Sequence, residues 1–264
     1  MPHNARKVCV KISIVTPSYN QGKYIENTIQ SVLNQECLDV EHIIMDGGST
    51  DQTVEVLKKY PHLIWASEKD RGQTHALNKG IKLCSGEIIG WINSDDFYEK
   101  NIFGTVLEAF SDPSVQWVIG KQPQFFDETG EIKPDTTPGI TYHNLLDNPD
   151  ILRQAPAFFR KSFLDIFLPL DESLYMTMDL DLWLRMSKVT PPKMFGNTFA
   201  YFRIQKDQKT NGELTGKQLQ EMLVLFRREK ATFLQKSRLV IRKAICVFKY
   251  KIKKRINIFR AFIH

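Results

Sequence analysis

The sequence offers no covalent staple. Its four cysteines, Cys9, Cys37, Cys84 and Cys246, are scattered over 264 residues and form no CxxC pair. That argues against a zinc ribbon and a disulfide framework, and a reducing cytoplasm is the expected setting. No apolar run approaches the length of a membrane-crossing helix. Met1–Lys11 is polar and basic, and the apolar run after it, 12–15, is too short for a secretory core, so no leader is expected. No internal repeat or low-complexity block is present. Acid is missing from one end: 230–264 holds eleven Lys/Arg and no Asp/Glu, which leaves 25 Lys/Arg against 30 Asp/Glu, net −5, in 1–229. A mildly acidic body therefore carries a strongly basic tail.

What is present suits a globular enzyme-sized domain. With 42% hydrophobic and 25% charged residues, the chain can bury a real core. Residues 11–120 alternate strand and helix patterns. KISIVTPS, VEHIIMD, LIWASE and EIIGWIN read as strands. YIENTIQSVLNQ, TVEVLKKY and 73–83 read as helices between them. This order predicts an α/β fold: a Rossmann-like, mostly parallel sheet flanked by helices. Residues 121–178 hold six of the twelve prolines and read as long loops with short elements. DLDLWLRMSKV reads as a helix and KMFGNTFAYFRI as one or two strands. The stretch 205–216 reads as a mobile loop, and the chain from 217 onward reads as helical almost to its end.

In a parallel sheet, ligands bind beyond the carboxyl ends of the strands. Each of the first four strands ends in a polar cluster: Thr16-Pro17-Ser18-Tyr19-Asn20, Asp46-Gly47-Gly48-Ser49, Glu68-Lys69-Asp70-Arg71-Gly72 and Asn93-Ser94-Asp95-Asp96. Parallel strands put all four on one edge. Asp95 and Asp96 are adjacent anions at the end of an apolar run, and they repel. A divalent cation, Mg2+ or Mn2+, offsets that repulsion and completes its shell with water and substrate phosphate. A solvated helix cap or Asx turn is the other reading of the pair.

In order and spacing, TPSYNQGKYIENTIQSVLNQ, HIIMDGGSTDQT, EKDRGQTHALNKGI and GWINSDDFY resemble family 2 glycosyltransferases of GT-A fold. The resemblance is close over 11–110 and looser over 150–210. It implies a nucleotide-sugar donor, of UDP type, and a saccharide or lipid-linked acceptor in cell-surface polysaccharide synthesis. It implies that Pro17, Tyr19, Asn20 and Asp46 cradle the nucleotide, with Asp46 accepting from the base. Arg71 lies near the diphosphate and Asn78 supports that wall. Asp96 binds the metal, and Asp95 binds the ribose or the metal. Where many members carry an acid, this chain has Asn93; where many carry histidine, it has Gln205. The resemblance also divides the chain into a GT-A domain over 1–215, with a donor half 1–120 and an acceptor half 121–215, and a basic helical extension over 216–264. Arg203, Lys206, Lys209 and Thr210 resemble a later basic segment near the diphosphate.

Inverting transfer needs a base for the acceptor hydroxyl, and Met178-Asp179-Leu180-Asp181-Leu182-Trp183-Leu184-Arg185 resembles the acidic motif that opens the acceptor-side helix. Asp181 and Arg185 are four apart and can pair on one face. Asp179 sits at the helix start, where backbone N–H groups favour the ionised form, and is the candidate base. Trp183 is expected in the core. In the tail, Ile241, Ile245, Phe248, Ile252, Ile256, Phe259 and Ile263 recur at steps of three and four, flanked by Lys and Arg. That pattern suits an anionic membrane surface, at the cytoplasmic face, in preference to nucleic acid; packing on the domain and pairing of subunits are the alternatives. Two rival functions stand beside the leading one. A nucleotidyltransferase usually carries a glycine-rich phosphate loop, which TPSYNQGKYIE lacks. An inactive nucleotide-sugar-binding scaffold subunit is the other.

Overall fold

The computed structural model describes residues 10–36, 39–151, 154–205 and 215–245. The loop residues Lys206, Lys209 and Thr210, and the tail positions 246–264, lie outside them.

The first four strands, β1 (Ile12–Ser18), β2 (Val40–Asp46), β3 (Ile64–Ser67) and β4 (Ile88–Trp91), are joined by helices α1 (Ile25–Leu33), α2 (Thr53–Lys58) and α3 (Gln73–Leu83). β1 pairs in parallel with β2 and with β4, and β2 pairs in parallel with β3. Their carboxyl ends therefore share one edge, as the alternating pattern predicts. After β5 (Phe97–Tyr98) come α4 (Ile102–Phe110), β6 (Trp117–Lys121), β7 (Gln124–Phe126), β8 (Ile132–Lys133) and α5 (Tyr142–Asp147). Then follow β9 (Ala157–Arg160), α6 (Lys161–Leu164), α7 (Met178–Ser187), β10 (Lys193–Thr198), β11 (Ala200–Ile204) and α8 (Thr215–Arg228). The main sheet has the order β10-β6-β9-β4-β1-β2-β3, and a smaller sheet has the order β5-β11-β7-β8. β9 runs antiparallel between β4 and β6, so the sheet is mostly but not wholly parallel. β9 falls in the stretch that reads as long loops with short elements, because four residues between prolines and polar turns carry too little periodicity.

Both sheet faces are covered, and the strands show it residue by residue. In β1, Ile12 and Ile14 face a core formed with α4, while Val15 faces a second core formed with α3, α7 and α8. In β9, Phe158 and the adjacent Phe159 split the same way. Trp183 is wholly buried, edge-on to Trp91, Trp117 and Phe159. The α8 helix is part of this body: Met222, Leu225 and Phe226 join the same core, each burial contributing roughly 1.5–3 kcal/mol. It ends at Lys230, whose φ of 53° is left-handed, and the Ala231 amide donates back to the Phe226 carbonyl at 2.8 Å, a Schellman-type stop. A further helix then runs over 233–245. So 215–245 packs on the domain, one of the alternatives open for the tail.

Candidate nucleotide-sugar site

The four strand ends meet in the expected row. Ser18 pairs with Asp46 and Asp46 with Ser67 across the sheet. Asp46 is 1% exposed. Its carboxylate accepts from the Gly48 and Ser49 amides at 3.2 and 2.9 Å and from the Ser67 hydroxyl at 2.6 Å, and the Ser49 hydroxyl takes the other oxygen. It is the knot of the second loop. Gly48 makes that loop possible: its φ is +81°, and a Cβ there would lie 3.3 Å from the Lys69 nitrogen. Asn20, with φ 53°, ties the first loop to the second, its amide donating to Ser49 Oγ at 2.7 Å and its Oδ1 accepting from the Thr50 amide at 2.9 Å. Pro17 is buried within β1, and Tyr19 stands 60% exposed at the mouth. Of this group Tyr19 and Asn20 are the exposed residues.

Arg71 and Asn78 are brought together, but through a residue the sequence reading missed. Arg71 is exposed and grips Glu172 by Nε at 3.0 Å and by Nη2 at 2.7 Å. Asn78, buried in α3, donates to the Leu170 carbonyl and to Glu172, and accepts from the Leu170 amide. Glu172 thus anchors the loop before α7 onto α3. Nothing in local spacing signals a contact across about a hundred residues.

The Asp95-Asp96 turn is held from three sides. Thr28 of α1 donates from its hydroxyl toward the carbonyls of Ser94 and Asp96, at 3.0 and 2.6 Å. Asn93 accepts from Gln73 at the start of α3 at 2.7 Å and donates to Gln154 at 3.1 Å. An aspartate could not make that donation, so the amide fits the network. Arg203 closes the third side. It is 7% exposed; its backbone amide donates to Asp96 Oδ1 at 3.0 Å, and its guanidinium reaches the Asp95 carbonyl at 2.7 Å and both Asp127 and Asn27 at 2.6 Å. The Tyr24, Phe97 and Phe125 rings surround it at 5.1–5.2 Å. These groups line a cavity of about 270 Å³ with Lys23.

Burial divides the pair unevenly. Asp96 is completely buried, with Oδ2 lacking a partner. Burial and the Asp95 charge push its carboxyl well above the usual range, against the pull of Arg203 and Asn93. Asp95 is half-buried and accepts from Gln205 Nε2 at 3.2 Å. Burial raises its carboxyl too, with Gln205 and Arg203 opposing. The Arg203 charge draws both carboxyls down, but its guanidinium is ion-paired with Asp127 and bonds neither carboxylate of the pair. No cluster of three His, Cys, Asp or Glu exists among the described residues. The donor set therefore fits a hard cation that brings most of its own ligands, as Mg2+ and Mn2+ do with water and phosphate oxygens.

Asp179 is half-buried at the opening of α7, with Oδ1 accepting from the Leu180 amide at 2.8 Å. Asp181 is 3% exposed between Arg185 Nε at 2.9 Å and Arg228 Nη1 at 2.7 Å. The Asp181–Arg185 pair is the one its spacing predicts; Arg228 is the addition. A second missed residue is Glu221 of α8. Its carboxylate accepts from the Tyr175 and Met176 amides and the Thr177 hydroxyl at 3.1, 2.8 and 3.1 Å. It caps the chain that enters α7 from another element, which no sequence window contains. Two neighbours in sequence join the halves. Gly72, at φ 119°, lies against the Tyr175 ring, 3.8 Å from a Cβ built there, and Gln73 bonds Asn93. The strand-four turn and the entry to α7 are thus separated by one dipeptide.

Polar loops and an acidic turn thus converge at the carboxyl ends of the strands, where open α/β sheets bind their ligands. The family model described as Glycosyl transferase family 2 matches residues 13–167, and this chain belongs to that family. It is 30% identical over 205 residues to a chondroitin synthase of Escherichia coli, an alignment covering 76% of this chain and 30% of that protein. It is 30% identical over 185 residues to the putative teichuronic acid biosynthesis glycosyltransferase TuaG of Bacillus subtilis, covering 67% of this chain and 72% of that one. The chain thus spans under a third of the synthase. Among solved structures, the mannosyltransferase PcManGT of Pyrobaculum calidifontis, in complex with GDP-Man and Mn2+, superposes with TM-score 0.65 at 14% identity, covering 93% and 74% of the two chains. TarS 1-349 of S. aureus in complex with UDP-GlcNAc gives 0.64 at 16%, covering 87% and 69%. These likenesses establish the fold. No helix among the described residues is long and apolar enough to cross a membrane.

Proposed function

We propose that this protein is an inverting, metal-dependent glycosyltransferase that moves a sugar from a nucleotide donor, UDP-linked, to a saccharide or lipid-linked saccharide acceptor in cell-surface polysaccharide synthesis. The observation that carries the reading is the Gly72-Gln73 bridge. It joins the turn before Asp95-Asp96 to the chain that enters α7, Gln73 bonding Asn93 while Gly72 lies against the Tyr175 ring. Tyr19 and the Asn20–Ser49 loops receive the base and ribose, and Arg71 attends the diphosphate with its planar fork. Asp95, half-buried, and Asp96, through its unpartnered Oδ2, would hold the cation. Bound there, Mn2+ or Mg2+ supplies positive charge against the departing diphosphate.

Asp179 takes the proton of the acceptor hydroxyl as its oxygen bonds to the anomeric carbon, and the bond to the diphosphate breaks on the opposite face. The Leu180 amide keeps the Asp179 carboxylate oriented. Asp181, pinned between two arginines, stays structural. We place the reaction at the inner face of a membrane, with no nucleic-acid partner. Calorimetric titration of UDP, GDP and dTDP, each with and without Mn2+, tests the donor half. Metal-dependent binding of one nucleotide supports the reading and fixes the donor. Binding without turnover in any acceptor mixture favours a nucleotide-sugar-binding scaffold.

A further inference from the structure

The helix over 233–245 has two unlike faces. One is turned inward: Leu239 is 1% exposed and joins the main core, and Lys243 is buried with Nζ 3.1 Å from Gln218 Oε1 of α8. The opposite face carries Phe233, Leu234, Ile241 and Ile245, exposed by 86, 57, 59 and 47%. At 3.6 residues per turn, Leu234, Ile241 and Ile245 form one stripe with Phe233 beside it. With Val240, this one helix holds five of the fifteen large apolar side chains exposed among the described residues. Scattered surface hydrophobics do not concentrate this way, and a cluster of this kind marks a contact surface.

Charge selects the occupant. Arg238 and Arg242, both exposed, flank the stripe along one edge. Arg238 comes within 3.8 Å of Asp147, an exposed pair that holds it weakly. A second copy docked by the same face about a two-fold axis would set these arginines against their own counterparts, which costs affinity. An anionic headgroup layer accepts the apolar side chains at its boundary and attracts the arginines. The body, at net −5 over 1–229, is repelled by the same layer, which fixes which side faces it. Beyond the described residues the sequence keeps the same apolar spacing at Phe248, Ile252, Ile256, Phe259 and Ile263, again with no acid.

We propose that the outward face of helix 233–245, Phe233, Leu234, Ile241 and Ile245 flanked by Arg238 and Arg242, seats on an anionic lipid surface. This names the surface for the membrane placement given above and rests on that placement, not on the transfer chemistry. The test is cosedimentation of the full chain with phosphatidylcholine vesicles, with and without phosphatidylglycerol. The parent binds only the anionic vesicles. Arg238→Gln with Arg242→Gln lowers its partition about 20-fold or more, and Phe233→Gln with Ile241→Gln lowers it by roughly tenfold or more. Melting temperature and nucleotide titration stay at parent values in both variants, since none of the four side chains touches the cleft or the core. The proposal is overturned if the parent binds neither vesicle, if it binds both equally, or if both double variants bind like the parent. It is also overturned if the parent is a dimer that the apolar variant dissolves. Vesicle binding in a protein that neither binds nucleotide nor turns over would sink the transfer reading and leave this one standing.

Discussion

Replacing Arg203 by methionine keeps most of the stem packing and removes the guanidinium. Three side-chain hydrogen bonds go, to the Asp95 carbonyl, to Asp127 and to Asn27, at 2.6–2.7 Å. So does the stacking against three rings. Hydrogen bonds to charged groups are worth about 1.5–3 kcal/mol each, and breaking a buried ion pair costs about 3–5 kcal/mol because the partner is stranded. Asp127 is only partly buried and retains Lys23 at 3.3 Å, which relieves it and moves the estimate to the lower end. We therefore expect a loss of about 3 kcal/mol, which in a chain of this size lowers the melting temperature by about 6–12 °C. Scanning calorimetry measures it. A double-mutant cycle with Asp127→Asn isolates the pair and should return a coupling of at least about 1 kcal/mol. Because Arg203 also fixes the Asp95 backbone, metal-dependent nucleotide binding should weaken in Arg203→Met and recover only partly in Arg203→Lys. An ammonium cannot reach three acceptors in one plane. A melting temperature within about 2 °C of the parent, or a vanishing coupling, would show that the guanidinium is not the cation holding this turn.

Four further outcomes follow from other contacts. Asp95→Asn should abolish metal-dependent nucleotide binding with little loss of stability, whereas Asp96→Asn should act chiefly on the melting temperature; the reverse would place the metal on Asp96. Asp179→Asn should leave nucleotide affinity intact and remove turnover, while Asp181→Asn, by unpairing Arg185 and Arg228, should cost about 2–4 kcal/mol in denaturant unfolding. Glu221→Ala should lower turnover at unchanged nucleotide affinity, since it strands the Tyr175 and Met176 amides ahead of Asp179; equal loss of both would make it a general prop. Acid should unfold the protein in two stages. Burial, with a contribution from His62, drops the His42 ring to about 3, so the folded state refuses a proton that the unfolded chain accepts below about 6.5. Burial alone would raise Glu41, but bonds from Lys11, Ser13 and Ser85 outweigh it and hold the carboxyl at about 2. Both folded values are depressed, so stability is full above pH 6.5. It falls from there toward pH 3 by roughly 1.4 kcal/mol per pH unit for His42, with Glu41 adding the same slope below about pH 4.5. His42→Gln should flatten the upper stage in chemical denaturation followed against pH.

The donor half was legible because each of its signals is local. Period-two strands, period-3.6 helices and a polar cluster at each strand end all lie within short windows, and parallel pairing alone then forces the clusters onto one edge. What stayed hidden is held by long-range contacts. β9 is a central strand only because Phe158 and Phe159 face two different cores, and four residues cannot announce that. Asp46 has the sequence of a ligand contact, and its carboxylate also ties its loop together through Ser49 and Ser67, which no local window shows. The Asp95-Asp96 pair raised a question of charge that the sequence alone answers with a metal. The fold adds Arg203, more than a hundred residues away, whose charge reaches both carboxyls while its guanidinium pairs with Asp127.

The same reasoning changes what the basic end of the chain means. Read as a pattern, 216–264 is a basic helical extension. Yet α8 contributes Phe226 and Leu225 to the main core, Arg228 to Asp181, and Glu221 to the entry of α7. A truncation at 215 therefore removes a cap from the entry to α7 and half the counter-charge of a buried carboxylate, and its loss of activity would say nothing about membranes. Only substitutions on the outward face of 233–245 separate the two roles. The helix turns Leu239 and Lys243 inward and its apolar stripe outward, so one side can be altered while the clamp on α7 is left intact.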